Sequence, residues 1–286
     1  MLSTWLESEK SIIDERLADS LPAVTSWPSP LHEAMRYAVL AGGKRLRPIL
    51  CREACRVLGG DPDQANWPAM AIEILHTYTL VHDDLPCMDD DALRRGQPTV
   101  HIKYGEAQAV LCGDALLTLA FEWIAKANHI GMVSELASST GSQGVIGGQI
   151  EDLLAENNAS DAQGLERIHL NKTAKLLQAS LTIGGMAAGG SPSDLDALDH
   201  FGKQIGLAFQ IMDDILDCTA DEDELGKPVG SDEEQNKTTY VSLYGIEAAR
   251  KQATELIQSA KQSLAGYGEN AKHLQDLADY ILQRRS

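Results

Sequence analysis

The chain has 286 residues, 43% of them hydrophobic and 23% charged, and carries a formal charge of −18. This is ordinary globular usage rather than the composition of a disordered chain, and so acidic a protein is a poor partner for nucleic acid or an anionic membrane surface. No apolar run reaches the roughly eighteen residues a membrane span needs, so none is expected.

The first segment, 1–21, combines acids with helical periodicity where a signal or transit peptide would be basic or acid-poor, so neither secretion nor organelle import is expected. Apolar periodicity predicts helices over 3–20, 30–41, 48–58, 65–84, 104–128, 131–140, 143–156, 163–189, 194–219, 237–265 and 270–284. Strand alternation and linkers are lacking, so the expected class is all-α with one domain over 1–286. Gly42 and Gly43 stop the second helix and Pro48 suits the first turn of the next, which puts Lys44, Arg45 and Arg47 on a tight connection able to aim several donors at one anion. The run DEDELGKPVGSDEEQ at 221–235 has almost no large apolar residue and reads as a mobile loop. Cys51, Cys55, Cys87, Cys112 and Cys218 form no CxxC pair, so a reducing cytoplasm is the simplest compartment.

Two aspartate clusters carry the chemistry: DDLPCMDDD at 83–91 and DDILD at 213–217, each following a strongly apolar stretch. Crowded carboxylates raise one another's pKa, and a divalent ion removes the conflict. All-oxygen ligands suit Mg2+, which keeps several waters and bridges one or two carboxylates to phosphate oxygens. Asp213 and Asp217 share a helix face, with Asp214 about 100° round. Asp83 and Asp89 would diverge by about 240° on a straight helix. Pro86 disfavours helical geometry at Leu85, so the helix is expected to bend or end there and let Asp89 fold back. One acidic cluster is most often a solvated helix end; two at the ends of apolar helices weaken that reading. Arg94 and Arg95, directly after the first cluster, add a second basic knot.

Taken together these residues resemble the trans-isoprenyl diphosphate synthases, most closely the bacterial short-chain branch that contains farnesyl diphosphate synthase. The likeness runs over roughly residues 25–285 and rests on GGKRLRP at 42–48, His76, DDLPCMDDDALRRGQPT at 83–99, GGQIEDL at 147–153, Lys172-Thr173, FQIMDDILD at 209–217, Gly226-Lys227 and KTTY at 237–240. The resemblance implies an isoprenoid synthase fold, with helices around a deep central cavity, usually as a homodimer. It implies condensation of isopentenyl diphosphate with dimethylallyl and then geranyl diphosphate to give farnesyl diphosphate. Asp83, Asp89 and Asp213 match the family's principal magnesium ligands for three Mg2+ ions, with Asp84, Asp214 and Asp217 in support. Arg94, Lys172, Lys227 and Lys237 match its allylic diphosphate contacts, and Lys44, Arg47, His76 and Arg95 its isopentenyl diphosphate site. Thr173 and Gln210 stand where the family places oxygen dipoles near the cation. The released diphosphate is the family's base, so no nucleophile or triad is expected. Ala174, and Thr238 after Asn236, stand where close relatives often have glycine or serine.

Tyr78 lies five residues before Asp83, about 7.5 Å down one helix from the metal end. An aromatic ring there, with the Pro86-Cys87 insertion, resembles the farnesyl pattern, whereas a smaller residue is commoner in bacterial geranylgeranyl synthases. A geranylgeranyl or geranyl diphosphate synthase is the alternative within the family. A class I terpene cyclase needs only one diphosphate site, which leaves Lys44, Arg47 and Arg95 unexplained. A non-catalytic synthase subunit would typically have lost one Asp cluster, and both are intact.

Overall fold

The structure, a computed structural model, describes residues 2–155, 161–219 and 238–284. Among these residues the only strands form one two-stranded hairpin, and the all-α class is as expected. The chain divides into two compact units, Met1–Arg52 with Pro62–Val133, and Glu53–Asp61 with Ser134–Ser286.

The first unit holds α1 (Leu2–Ser20), α2 (Ser29–Leu40), the start of α3 (Leu46–Val57), α4 (Asn66–Asp83), the hairpin β1 (Leu93–Arg94) and β2 (Gln97–Pro98), α5 (Val100–Tyr104) and α6 (Glu106–Ala125). Its spine is α4, whose run AMAIEIL has no wide polar face and is therefore buried nearly all round. Helix α6 packs along it, with Ile72, Ile74, Leu75, Leu116 and Ile124 fully buried and Trp67 meeting Trp123 edge-on at 5.8 Å. Each such aliphatic side chain contributes roughly 1.5–3 kcal/mol. Against the expectation that no segment could span a membrane, α6 is long and apolar enough by length and composition. It carries the charges Glu106, Asp114 and Glu122 and packs on α4.

Arg45, on the basic connection, is not a surface cation. It adopts φ 51° and buries its guanidinium between Asp14 (2.8 Å), Glu73 (2.7 Å) and the Val39 carbonyl (2.7 Å). It clamps the turn that carries Lys44 and Arg47. Arg45→Ala strands the buried Glu73 carboxylate, and denaturant unfolding is expected to show a loss of about 3–5 kcal/mol. A loss under about 1 kcal/mol would mean the clamp contributes little.

The second unit holds the end of α7 (Ile130–Thr140), α8 (Val145–Ala155), α9 (Ala162–Ile168), a π-helical turn at His169–Ala174, α10 (Lys175–Ala187), α11 (Pro192–Thr219), α12 (Tyr240–Tyr244), α13 (Ile246–Ser263) and α14 (Lys272–Gln283). Helix α11 is its spine, burying Phe201, Ile205, Ile211 and Ile215 against α10 and α13. The helix expected over 104–128 divides at Gly105 (φ 89°), and that over 237–265 divides at Gly245 (φ 79°), because each takes a conformation no L-residue in a helix can hold. The loop expected at 221–235 lies outside the described residues.

Candidate active site

In the first unit α4 ends at Asp83, as Pro86 requires, and the chain turns back so that the Asp89 amide donates to the Asp83 carbonyl at 2.8 Å. That return sets two carboxylate-bearing residues six apart onto one turn. Asp83 is half-buried and Asp89 exposed. Asp84 differs: it is buried, and its carboxylate accepts from Arg94 Nε at 2.6 Å. Burial pushes the Asp84 carboxyl up, Arg94 pulls it back, and Asp91 and Asp89 add to the rise. Asp84 thus holds Arg94, which also reaches Asp91 at 2.9 Å.

The two arginines lie on the hairpin, whose turn residues Arg95 (φ 54°) and Gly96 (φ 74°) both have positive φ, as a tight hairpin demands. Arg95 lays its guanidinium against the backbone of the basic connection and donates to the Gly42 carbonyl. Gly43 takes φ 120°, which L side chains rarely adopt, and a Cβ there would also displace the Arg95 guanidinium. Nearby, Arg47 donates to His76 Nε2 at 3.2 Å. Because guanidinium only donates, Nε2 is the acceptor and the imidazole is neutral. Burial holds His76 well below the usual imidazole range, with Arg47 and Arg95 lowering it further. Burial also draws Arg47 down to about 10, opposed by Glu73 and helped by Arg95, so it stays cationic at neutral pH. Lys44 is exposed on the same connection. Tyr78 is buried on α4 five residues before Asp83, its phenol pushed up to about 12 by burial and by Asp83.

In the second unit the π-helical turn carries Lys172 and Thr173; such turns recur at functional sites. Helix α8 approaches it closely because Gly148 has no Cβ to meet the 171–172 backbone. That approach brings Asp152, within the GGQIEDL run, to Lys172 Nζ at 2.5 Å. Thr173 donates its hydroxyl to Gln210 Oε1, which turns Gln210 Nε2 toward Asp213 Oδ2 at 3.3 Å. Arg284 donates to Asp213 Oδ1 at 2.6 Å and to the Phe209 carbonyl at 2.7 Å, with its guanidinium 3.9 Å from the Phe209 ring centroid. Arg284 carries no motif signal in the sequence.

Of the DDILD carboxylates, Asp213 is half-exposed, whereas Asp214 and Asp217 are buried. Asp214 accepts from the Tyr240 amide at 2.7 Å and so anchors the start of α12. Asp213 is therefore the most accessible of the three carboxylates that spacing places along this part of α11. Lys227 and Lys237 lie outside the described residues.

Among the described residues no three His, Cys, Asp or Glu side chains converge as a ready-made metal nest. The donor set still fits magnesium, which takes one or two carboxylate oxygens and completes its shell with water and phosphate. Asp83, Asp89 and Asp213 each present a carboxylate of this kind.

Residues 28–277 match the family model described as polyprenyl synthetase. The chain is 47% identical over 268 residues to the farnesyl diphosphate synthase of Escherichia coli, covering 90% of each protein. It is 46% identical over 286 residues to the chloroplastic geranylgeranyl pyrophosphate synthase of Capsicum annuum, covering 97% of this chain and 77% of the relative. Among solved structures it is similar to the geranyltransferase of Helicobacter pylori complexed with magnesium and isoprenyl diphosphate, at 36% identity and TM-score 0.83 over 98% of this chain and 96% of that one.

Proposed function

The chain belongs to the polyprenyl synthetase family, and from that premise we propose that it condenses isopentenyl diphosphate with dimethylallyl and then geranyl diphosphate and releases farnesyl diphosphate. Trans-prenyl transfer is the family's activity; the fifteen-carbon product is our reading, carried by the buried Tyr78 ring five residues before Asp83.

In this reading both Asp clusters serve one allylic diphosphate, with Asp83, Asp89 and Asp213 as the ligands of three magnesium ions. When bound, those ions neutralise the diphosphate and stabilise charge on it as it departs. Lys172, held by Asp152, and Arg94, held by Asp84, grip the same group, joined by Lys227 and Lys237. Lys44, Arg47, His76 and Arg95 take the diphosphate of isopentenyl diphosphate; neutral His76 orients Arg47 without adding repulsion. Arg forks suit phosphate oxygens and Lys supplies compact charge. The allylic C–O bond breaks, and the hydroxyl of Thr173 and the amide of Gln210 turn oxygen dipoles toward the cation. The isopentenyl double bond attacks it, forming the new C–C bond, and the proton then lost goes to the released diphosphate. The working form is a homodimer in the cytoplasm, a compartment supported by cysteines that form no disulfide among the described residues.

The ring of Tyr78 closes the tunnel into which the prenyl tail grows, so a fifteen-carbon chain cannot re-enter with its diphosphate on the metals. Tyr78→Ala opens space toward the buried Ile74 and Leu75, and mass spectrometry is expected to show products of twenty carbons or more. An unchanged product from a folded, active variant would remove Tyr78 as the stop. A twenty-carbon product for the native chain is the second reading, favoured by the likeness to the Capsicum annuum synthase.

A further inference from the structure

We infer that His82 and Gly113 form a brace that fixes the Tyr78 ring, making His82 a positioning residue for product length; this rests on the reading of Tyr78 as the tunnel floor. His82 follows Tyr78 by four residues on α4 and therefore lies on the same face. The two rings meet edge to face, with centroids 5.7 Å apart and planes at 87°.

The far side of the imidazole is held by α6. His82 Nε2 lies 3.0 Å from the Val110 carbonyl, and since a carbonyl only accepts, Nε2 carries the proton and donates. The ring also occupies the space left by the absent side chain of Gly113, where a Cβ would overlap it. Any larger residue at 113 must expel the imidazole from this slot. The wedge thus runs from the α6 backbone through His82 to Tyr78, and all four residues belong to the first unit. A phenol ring at the end of a growing hydrocarbon must resist being pushed aside. Its own burial does not fix its side-chain torsion, but a ring packed against it and tied to a second helix does.

His82→Ala removes the wedge and leaves the Tyr78 ring in place but free to swing. The share of products longer than fifteen carbons is expected to rise about fivefold, the population change that loss of one aromatic contact allows. Gly113→Ala keeps the imidazole but displaces it, and is expected to broaden the product in the same way. Because His82 acts only through Tyr78, His82→Ala in the Tyr78→Ala background is expected to give the same products as Tyr78→Ala alone. The product ratio is read independently of turnover, so damage to the adjacent Asp83 does not mimic the effect.

The experiment is mass spectrometry of products from isopentenyl and dimethylallyl diphosphates for the four variants, with circular dichroism confirming their fold. Longer products from both single brace variants, and no further change in the double variant, support the brace. Unchanged products from folded His82→Ala and Gly113→Ala, or an additive shift in the double variant, overturn it. An unchanged product in Tyr78→Ala itself would instead overturn the tunnel-floor reading on which it stands.

Discussion

Asp213→Ala is expected to lower turnover by on the order of a thousandfold while leaving helical content intact, because it removes an electrostatic stabiliser of the departing diphosphate. Asp213 is the carboxylate of its cluster that is half-exposed, so deletion opens no cavity. Arg284 and Gln210 would lose their shared acceptor and relax locally. Asp83→Ala is expected to behave alike, since it too is only half-buried. Steady-state kinetics at saturating Mg2+, paired with far-UV circular dichroism, checks both. Near-normal turnover in either variant would reject the assignment of that cluster.

Arg47→Ala is expected to raise the Michaelis constant for isopentenyl diphosphate by about a hundredfold, the scale of losing a partly buried charge-assisted contact. The constant for the allylic substrate should change far less, because Arg47 is assigned to one diphosphate only. His76→Ala removes the acceptor that aims Arg47 and is expected to produce a weaker effect in the same direction. Equal effects on both substrates would show that the division into two diphosphate sites is wrong.

Much of this arrangement can be read in the chain itself, because it depends on local rules. Pro86 dictates the end of α4 and the return of Asp89, and the paired glycines at 42 and 43 dictate the turn that presents Lys44 and Arg47. Apolar periodicity recovers the long helices because burial follows it directly. The features that escape are those decided by a distant partner. Arg45 looks like its basic neighbours, and only the buried Glu73 and Asp14 make it a structural clamp. The π-helical turn at His169–Ala174 has helical composition throughout, and the two-residue strands of the hairpin are too short to alternate. The pairing of Arg284 with Asp213 spans 71 residues and leaves no trace in local sequence. Asp84 and Asp214 stand in the same motifs as the less buried Asp83, Asp89 and Asp213, and only the structure shows that Arg94 and the Tyr240 amide hold them.

The account is tested most directly by giving the purified chain isopentenyl and dimethylallyl diphosphates with Mg2+, following diphosphate release and identifying the product by mass spectrometry. It predicts release that depends on isopentenyl diphosphate and a main product of fifteen carbons. Release without isopentenyl diphosphate, no release by the chain alone, or a main product of twenty carbons would contradict it.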